Sequence, residues 1–202
     1  MDAVVRALGL AWRSSAARCR SRARSIGPLL SPRIVSAAVR APSRRQAALT
    51  AVVYVMYFVL AGVGQATGSA ALNVIGTAWY FLVSVALSLL FARADRRLSV
   101  AAVAFAGTGC VVQGIGQVQA DSALLTSAIA FFGLFEVALG YLIMRSGFAP
   151  RWLGAALALA GIMGLVVVLA DVPNTFRFAV VALSGLSELA LVIWLITRAV
   201  RR

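Results

Sequence analysis

Residues 98–144 read LSVAAVAFAGTGCVVQGIGQVQADSALLTSAIAFFGLFEVALGYLIM. Two apolar runs, 98–118 and 123–144, flank a junction that runs only from Gln119 to Ser122. Each run is close to the ~20 residues that carry an α-helix across a bilayer at about 1.5 Å per residue. A junction this short returns the chain at once, so the two helices must be antiparallel neighbours. The pattern continues on both sides. Further apolar runs at 47–67, 71–92, 152–170 and 178–197 make six in all, with short connections throughout. The fold class expected is an all-α membrane protein, a bundle of six transmembrane helices. Residues 47–202 form that domain, and its short loops leave no room for a soluble one.

Composition agrees. Of 202 residues, 62% are hydrophobic and 12% charged, against roughly 25% charged in soluble domains. The chain carries 19 Arg, six acids, no Lys and no His. Without His there is no His-ligated haem or zinc, no Ser-His-Asp triad and no imidazole proton shuttle. Without Lys there is no Schiff-base chemistry and no Walker-type phosphate loop. Nothing in the sequence asks for a cofactor or a metal ion. Cys19 lies in a polar tail and Cys110 in an apolar span, so a disulfide between them is not expected.

The net charge of +13 would suggest nucleic acid in a soluble protein. Its distribution along a membrane chain suggests otherwise. Ten Arg lie in residues 1–46. The 93–97 loop adds Arg93, Arg96 and Arg97, the 145–151 loop adds Arg145 and Arg151, and the end adds Arg198, Arg201 and Arg202. In a six-span topology all of these share one side, and the other side holds Arg177 with Asp121 and Asp171. Such a bias places both termini in the cytoplasm. The expected location is the cell inner membrane, multi-pass. The expected partners are the lipid bilayer and anionic headgroups at the cytoplasmic face, not nucleic acid. A protein partner or homo-oligomer stays open.

Residues 1–46 form a basic extension rich in Arg, Ser and Ala. Val5, Leu8 and Trp12 fall at helical spacing, and Pro28, Pro32 and Pro42 then break the pattern. The extension is expected to be largely disordered or to form a helix on the membrane surface. A transit peptide and a start assigned too far upstream stay open as alternatives.

Polar residues inside the spans are the candidate chemistry. Glu136 and Glu188 lie near midspan, where a carboxylate costs at least ~2.5 kcal/mol on insertion scales. Each is expected to face the bundle interior, and Ser184, one turn before Glu188, is the expected local partner. Gln113 and Gln117 share one face of the third span. These five residues make a candidate polar site between spans three, four and six. It reads either as interhelical hydrogen bonding or as a proton or cation site. Gly107, Gly109, Gly114 and Gly116, then Gly133 and Gly140, then Gly154, Ala158, Gly161 and Gly164, form small strips where helices approach closely. Trp152 and Trp194 suit the cytoplasmic boundary. Trp79 and Tyr80 read as packing or lipid-facing residues.

The stretch FFGLFEVALGYLIMRSGFAPRWLG, Phe131 to Gly154, resembles a bacterial integral-membrane family catalogued as a domain of unknown function. Its elements FFGLH, GYL, SGF, PR and LG appear as Phe131–Leu134, Gly140–Leu142, Ser146–Phe148, Pro150–Arg151 and Leu153–Gly154. The closing span, with Glu188, Leu189 and Trp194, resembles the family's last motif. The resemblance extends over about residues 44–200 and implies six helices without assigning a reaction. Phe135 stands where the family motif has His, and Glu136 follows it. The sequence thus favours a non-enzymatic scaffold, sensor or accessory subunit. The alternative is a small-molecule or ion transporter with a midplane carboxylate site, and an intramembrane enzyme ranks behind both.

Overall fold

The computed structural model describes residues 43–170 and 172–200, all helix, turn or coil with no strand among them. The basic extension up to residue 42 lies outside the described residues. Six helices follow one another: α1 Arg44–Thr67, α2 Ala70–Phe91, α3 Arg96–Gln119, α4 Ser122–Ser146, α5 Arg151–Leu169 and α6 Asn174–Val200. All six are long and apolar enough to cross a membrane.

The helices overrun the apolar runs by up to a few residues, because polar caps rather than hydropathy end them. α1 begins at Arg44, three residues before the expected boundary. Ser43 Oγ accepts the Gln46 N–H at 3.2 Å, and Gln46 Oε1 accepts the Ser43 N–H at 3.0 Å. That reciprocal box satisfies two backbone donors the helix cannot. Asp95 and Asp121 cap α3 and α4 in the same sense, each accepting two backbone N–H groups of the first turn. Pro150 precedes the first residue of α5 rather than occupying its first turn. Gly68 and Gly147 close α1 and α4 in the left-handed conformation, where a residue without Cβ meets no steric penalty.

Each helix packs against its chain neighbours, and α6 closes the ring onto α1. One further contact crosses the interior, between α2 and α4. Consecutive helices alternate in direction, so α2, α4 and α6 run the same way. Large apolar side chains such as Leu89, Val118, Leu169 and Phe178 point outward and are exposed, as a lipid-facing surface requires.

The tightest seam is α4 on α5. A Cβ added at Gly133 would lie 2.7 Å from the Gly161 carbonyl oxygen, and one at Gly154 would meet the Gly140 carbonyl at 2.5 Å. The pairs Gly133–Gly161 and Gly140–Gly154 are one heptad apart on two antiparallel helices. Lipid offers helices no hydrophobic drive to associate, so backbone approach of this kind supplies the attraction. The third span behaves less uniformly than its glycines suggest. Gly109 and Gly116 sit under Phe132 and Leu125 of α4, and Gly107 sits under the Phe81 ring of α2. Gly114 has nothing within 4 Å of an added Cβ. It borders an apolar groove with Val74, Cys110 and Val111, so no helix contact forms there.

Candidate functional site

The bundle encloses a cavity of about 260 Å³ lined by five of the six helices. α5 contributes no residue, because its inner face is consumed by the glycine seam with α4. Near the α1–α2 and α3–α4 turns the lining is amide: Gln65, Asn73 and Gln117. Gln65 is exposed and marks the mouth. Deeper in stand Gln113, then the rings of Tyr57, Phe58, Tyr80 and Phe132, and finally Glu136, Ser184 and Glu188. All five residues singled out in the sequence border this one space.

The two glutamates come to the same depth. Glu136 is the fifteenth residue of α4 and Glu188 the fifteenth of α6, counting from Ser122 and Asn174. Fourteen steps of ~1.5 Å place both about 21 Å along helices that run in the same direction. Each is only 6% exposed, and what exposure remains is toward the cavity. α4 and α6 do not adjoin, since α5 stands between them in the ring. Their side chains meet across the interior.

The hydrogen bonds differ from the local pairing expected. Ser184 Oγ donates to Glu136 Oε1, across the bundle, and not to Glu188 on its own helix. Glu188 Oε1 instead accepts the Tyr80 hydroxyl at 2.6 Å. The second oxygen of Glu136 has no hydrogen-bond partner among the described residues and is not sealed from the cavity. Thr77 Oγ1 lies 2.9 Å from the Asn73 carbonyl oxygen and 3.2 Å from Gln117 Oε1, the two acceptors sharing its one proton, which holds the amide level together. Burying such groups costs several kcal/mol unless they are paired, and these contacts pair most of them.

Tyr80 therefore corrects its sequence reading: it is a hydrogen-bonding member of the site, not lipid-facing bulk. Trp79 beside it is structural, donating Nε1–H to the Val53 carbonyl of α1 at 2.8 Å. Tyr54 and Tyr57 were not singled out either. Three tyrosines in otherwise apolar spans are a legible signal in retrospect, because a buried phenol hydroxyl needs a partner. Tyr57 and Tyr80 stand 4.7 Å apart between ring centroids, and Tyr80 meets Phe132 edge-on at 5.4 Å.

At the opposite end, the loop after α4 is fixed by aromatic contact. Phe148 meets Trp194 edge-on at 4.7 Å and lies 6.0 Å from Phe91, and Arg198 sits 5.7 Å above its ring. Arg145 bridges to Asp95 at 3.2 Å, so the 93–97 and 145–151 loops share one face of the bundle.

Residues 118–199 match the family model of a domain of unknown function, DUF4386. The DUF4386 match starts at the end of α3 and covers α4, α5 and α6, the spans whose motifs carry the resemblance. It includes Glu136, Ser184 and Glu188. It leaves out Gln113, Gln117 and all three tyrosines, which lie on the α1–α3 half. No curated protein and no solved structure matches the chain. The six apolar helices describe a multi-pass membrane protein, and its last three spans are similar to a domain of unknown function.

Proposed function

We propose that this chain is a carrier of the bacterial inner membrane, with both ends of the six-helix domain in the cytoplasm. In this reading a small polar solute enters from the outer face and docks against Glu136 and Glu188. The observation that carries it is the cavity. The polar side chains of five helices converge on one space with amides at the mouth and two carboxyls at its floor. Ligand sites are concave spaces on which polar groups converge, and this one is more polar than most. The uneven Arg distribution supports the orientation, and the mouth then faces outward. The role is binding and passage rather than catalysis.

A second reading, an accessory subunit or scaffold, draws on the α4–α5 seam. There α5 is close-packed on α4 by glycine and adds no residue to the cavity. Thiol accessibility separates the two. In a chain carrying Cys19→Ser and Cys110→Ala, Gln113→Cys should react with membrane-impermeant thiosulfonates in right-side-out vesicles, and far more slowly in inverted ones. Failure to react from either face would mean a sealed interior and would favour the scaffold.

A further inference from the structure

The chemistry of the cavity points to a ligand class. Its floor carries two carboxyl groups, one with an oxygen open to the cavity, and its walls carry the rings of Tyr57, Phe58, Tyr80 and Phe132. No Arg borders it. We propose that the cavity binds a small organic ammonium ion, held over the aromatic rings and countered by Glu136 and Glu188. The inference rests on the carrier reading above and specifies its solute.

Three alternatives fit less well. An anion would meet two carboxyls and no cation. A bare metal ion finds too few ligands, since no group of three or more Asp, Glu, Cys or His suited to a metal exists among the described residues. Hard cations such as calcium want six to eight oxygens, roughly. A neutral solute would make no use of two carboxyl groups gathered at midspan, where such groups are costly to place. An organic ammonium answers each feature at once. Aromatic faces attract it through their quadrupoles, most strongly when it is stripped of water. Its positive charge complements the carboxyls, and any N–H it carries can reach the free oxygen of Glu136. The size also agrees. About 260 Å³ is many times the ~30 Å³ share of one water, so the space suits a solute of several heavy atoms.

The same Gln113→Cys chain tests this without a known ligand. It is treated with two thiosulfonates of similar size, one ending in trimethylammonium and one in sulfonate. Their rates are divided by those for a free thiol. The ammonium reagent should be favoured at least tenfold, and Glu136→Gln or Glu188→Gln should reduce that preference severalfold. Choline should slow labelling in a saturable manner. Its neutral carbon analogue 3,3-dimethylbutanol, sodium chloride and magnesium chloride should not. Tyr57→Leu should weaken protection by choline and Tyr57→Phe should keep it, separating the ring from the hydroxyl. Labelling with no preference for the ammonium reagent, or equal protection by dimethylbutanol or magnesium, overturns the ammonium assignment and leaves the carrier reading standing. No labelling by either reagent overturns both.

Discussion

Ser184 and Glu188 lie on adjacent turns of α6, yet the Ser184 hydroxyl is given to Glu136 of α4. A residue pair that could have closed locally instead joins two helices that do not touch through their backbones. The second carboxyl is served from a third helix by Tyr80. The site is thus a network linking α2, α4 and α6, the three helices that run in the same direction. Breaking one link should be felt across the bundle.

Ser184→Ala should destabilise the detergent-extracted chain by about 1–3 kcal/mol, because a buried acceptor loses its donor. Glu136→Leu removes the acceptor while keeping a side chain of similar size. The double variant should be less destabilised than the sum, with a coupling of roughly 0.5–3 kcal/mol as for residues in direct contact. Thermal unfolding of the four proteins of this cycle gives the answer. Strict additivity would show that the Ser184–Glu136 contact carries no energy.

Tyr80→Phe removes one hydroxyl and no ring. It should lower stability by about 1–3 kcal/mol, because the buried Glu188 acceptor loses its donor. Tyr57→Phe should cost clearly less, since no hydrogen bond to Glu188 involves Tyr57 in the structure. Melting temperatures of the two variants side by side check the ranking, and equal losses would contradict the geometry at Glu188.

Much of this was legible in the sequence, for reasons that differ by feature. The six spans follow from apolar run length, a strong signal because lipid forbids unsatisfied backbone. The inward turn of Glu136 and Glu188 follows from the cost of exposing them to lipid. Partner choice was not legible. Ser184 lies one turn from Glu188, and only the helix arrangement shows that its hydroxyl points the other way. Tyr80 is not legible as a site residue, because an aromatic residue in a span is ordinarily packing and its hydroxyl acquires meaning only once it meets Glu188 of α6. On α4 and α5 the glycine strips are legible as a class. On α3, Gly114 was indistinguishable from Gly116 without knowing which side α4 occupies.

That contrast between glycines makes a paired test. Gly161→Ala places a Cβ 2.9 Å from the Val137 backbone nitrogen and also against the Gly133 carbonyl. Backbone cannot yield cheaply, so the variant should lose about 1–3 kcal/mol, as overpacked cores do. Gly114→Ala meets nothing and should gain up to about 1 kcal/mol from helix propensity. Unfolding of both by heat should give shifts of opposite sign. A neutral Gly161→Ala would mean that the α4–α5 seam is looser than described.

Ala120 closes α3 at φ 53°, the one non-glycine residue in the left-handed region among the described residues. An L-residue pays roughly 1–2 kcal/mol there. Ala120→Gly should therefore raise stability by up to about 1 kcal/mol, part of the gain being offset by the greater freedom of glycine in the unfolded chain. A fall in melting temperature would show that the methyl group makes packing contacts that outweigh the strain.

The last prediction is topological. A six-span topology would leave only Arg177 of the 19 Arg on the outer side, since loops rich in Arg near span ends stay in the cytoplasm. Reporter fusions after residues 69, 120 and 174 should read outside, and those after 95 and 148 inside. The structure adds a constraint that charge counting lacks. Asp95 and Arg145 bridge at 3.2 Å, so fusions after 95 and 148 must agree with each other whatever the orientation. An exposed pair of this kind contributes only about 0–1 kcal/mol, so it reports proximity rather than enforcing it. Removing the inner charges tests what does enforce it: replacing Arg93, Arg96 and Arg97 together by Gln should weaken the bias and produce mixed signals after residue 95. A cytoplasmic signal after residue 120 in the unaltered chain would invert the orientation, turn the cavity mouth to the cytoplasm, and overturn uptake from the outer face.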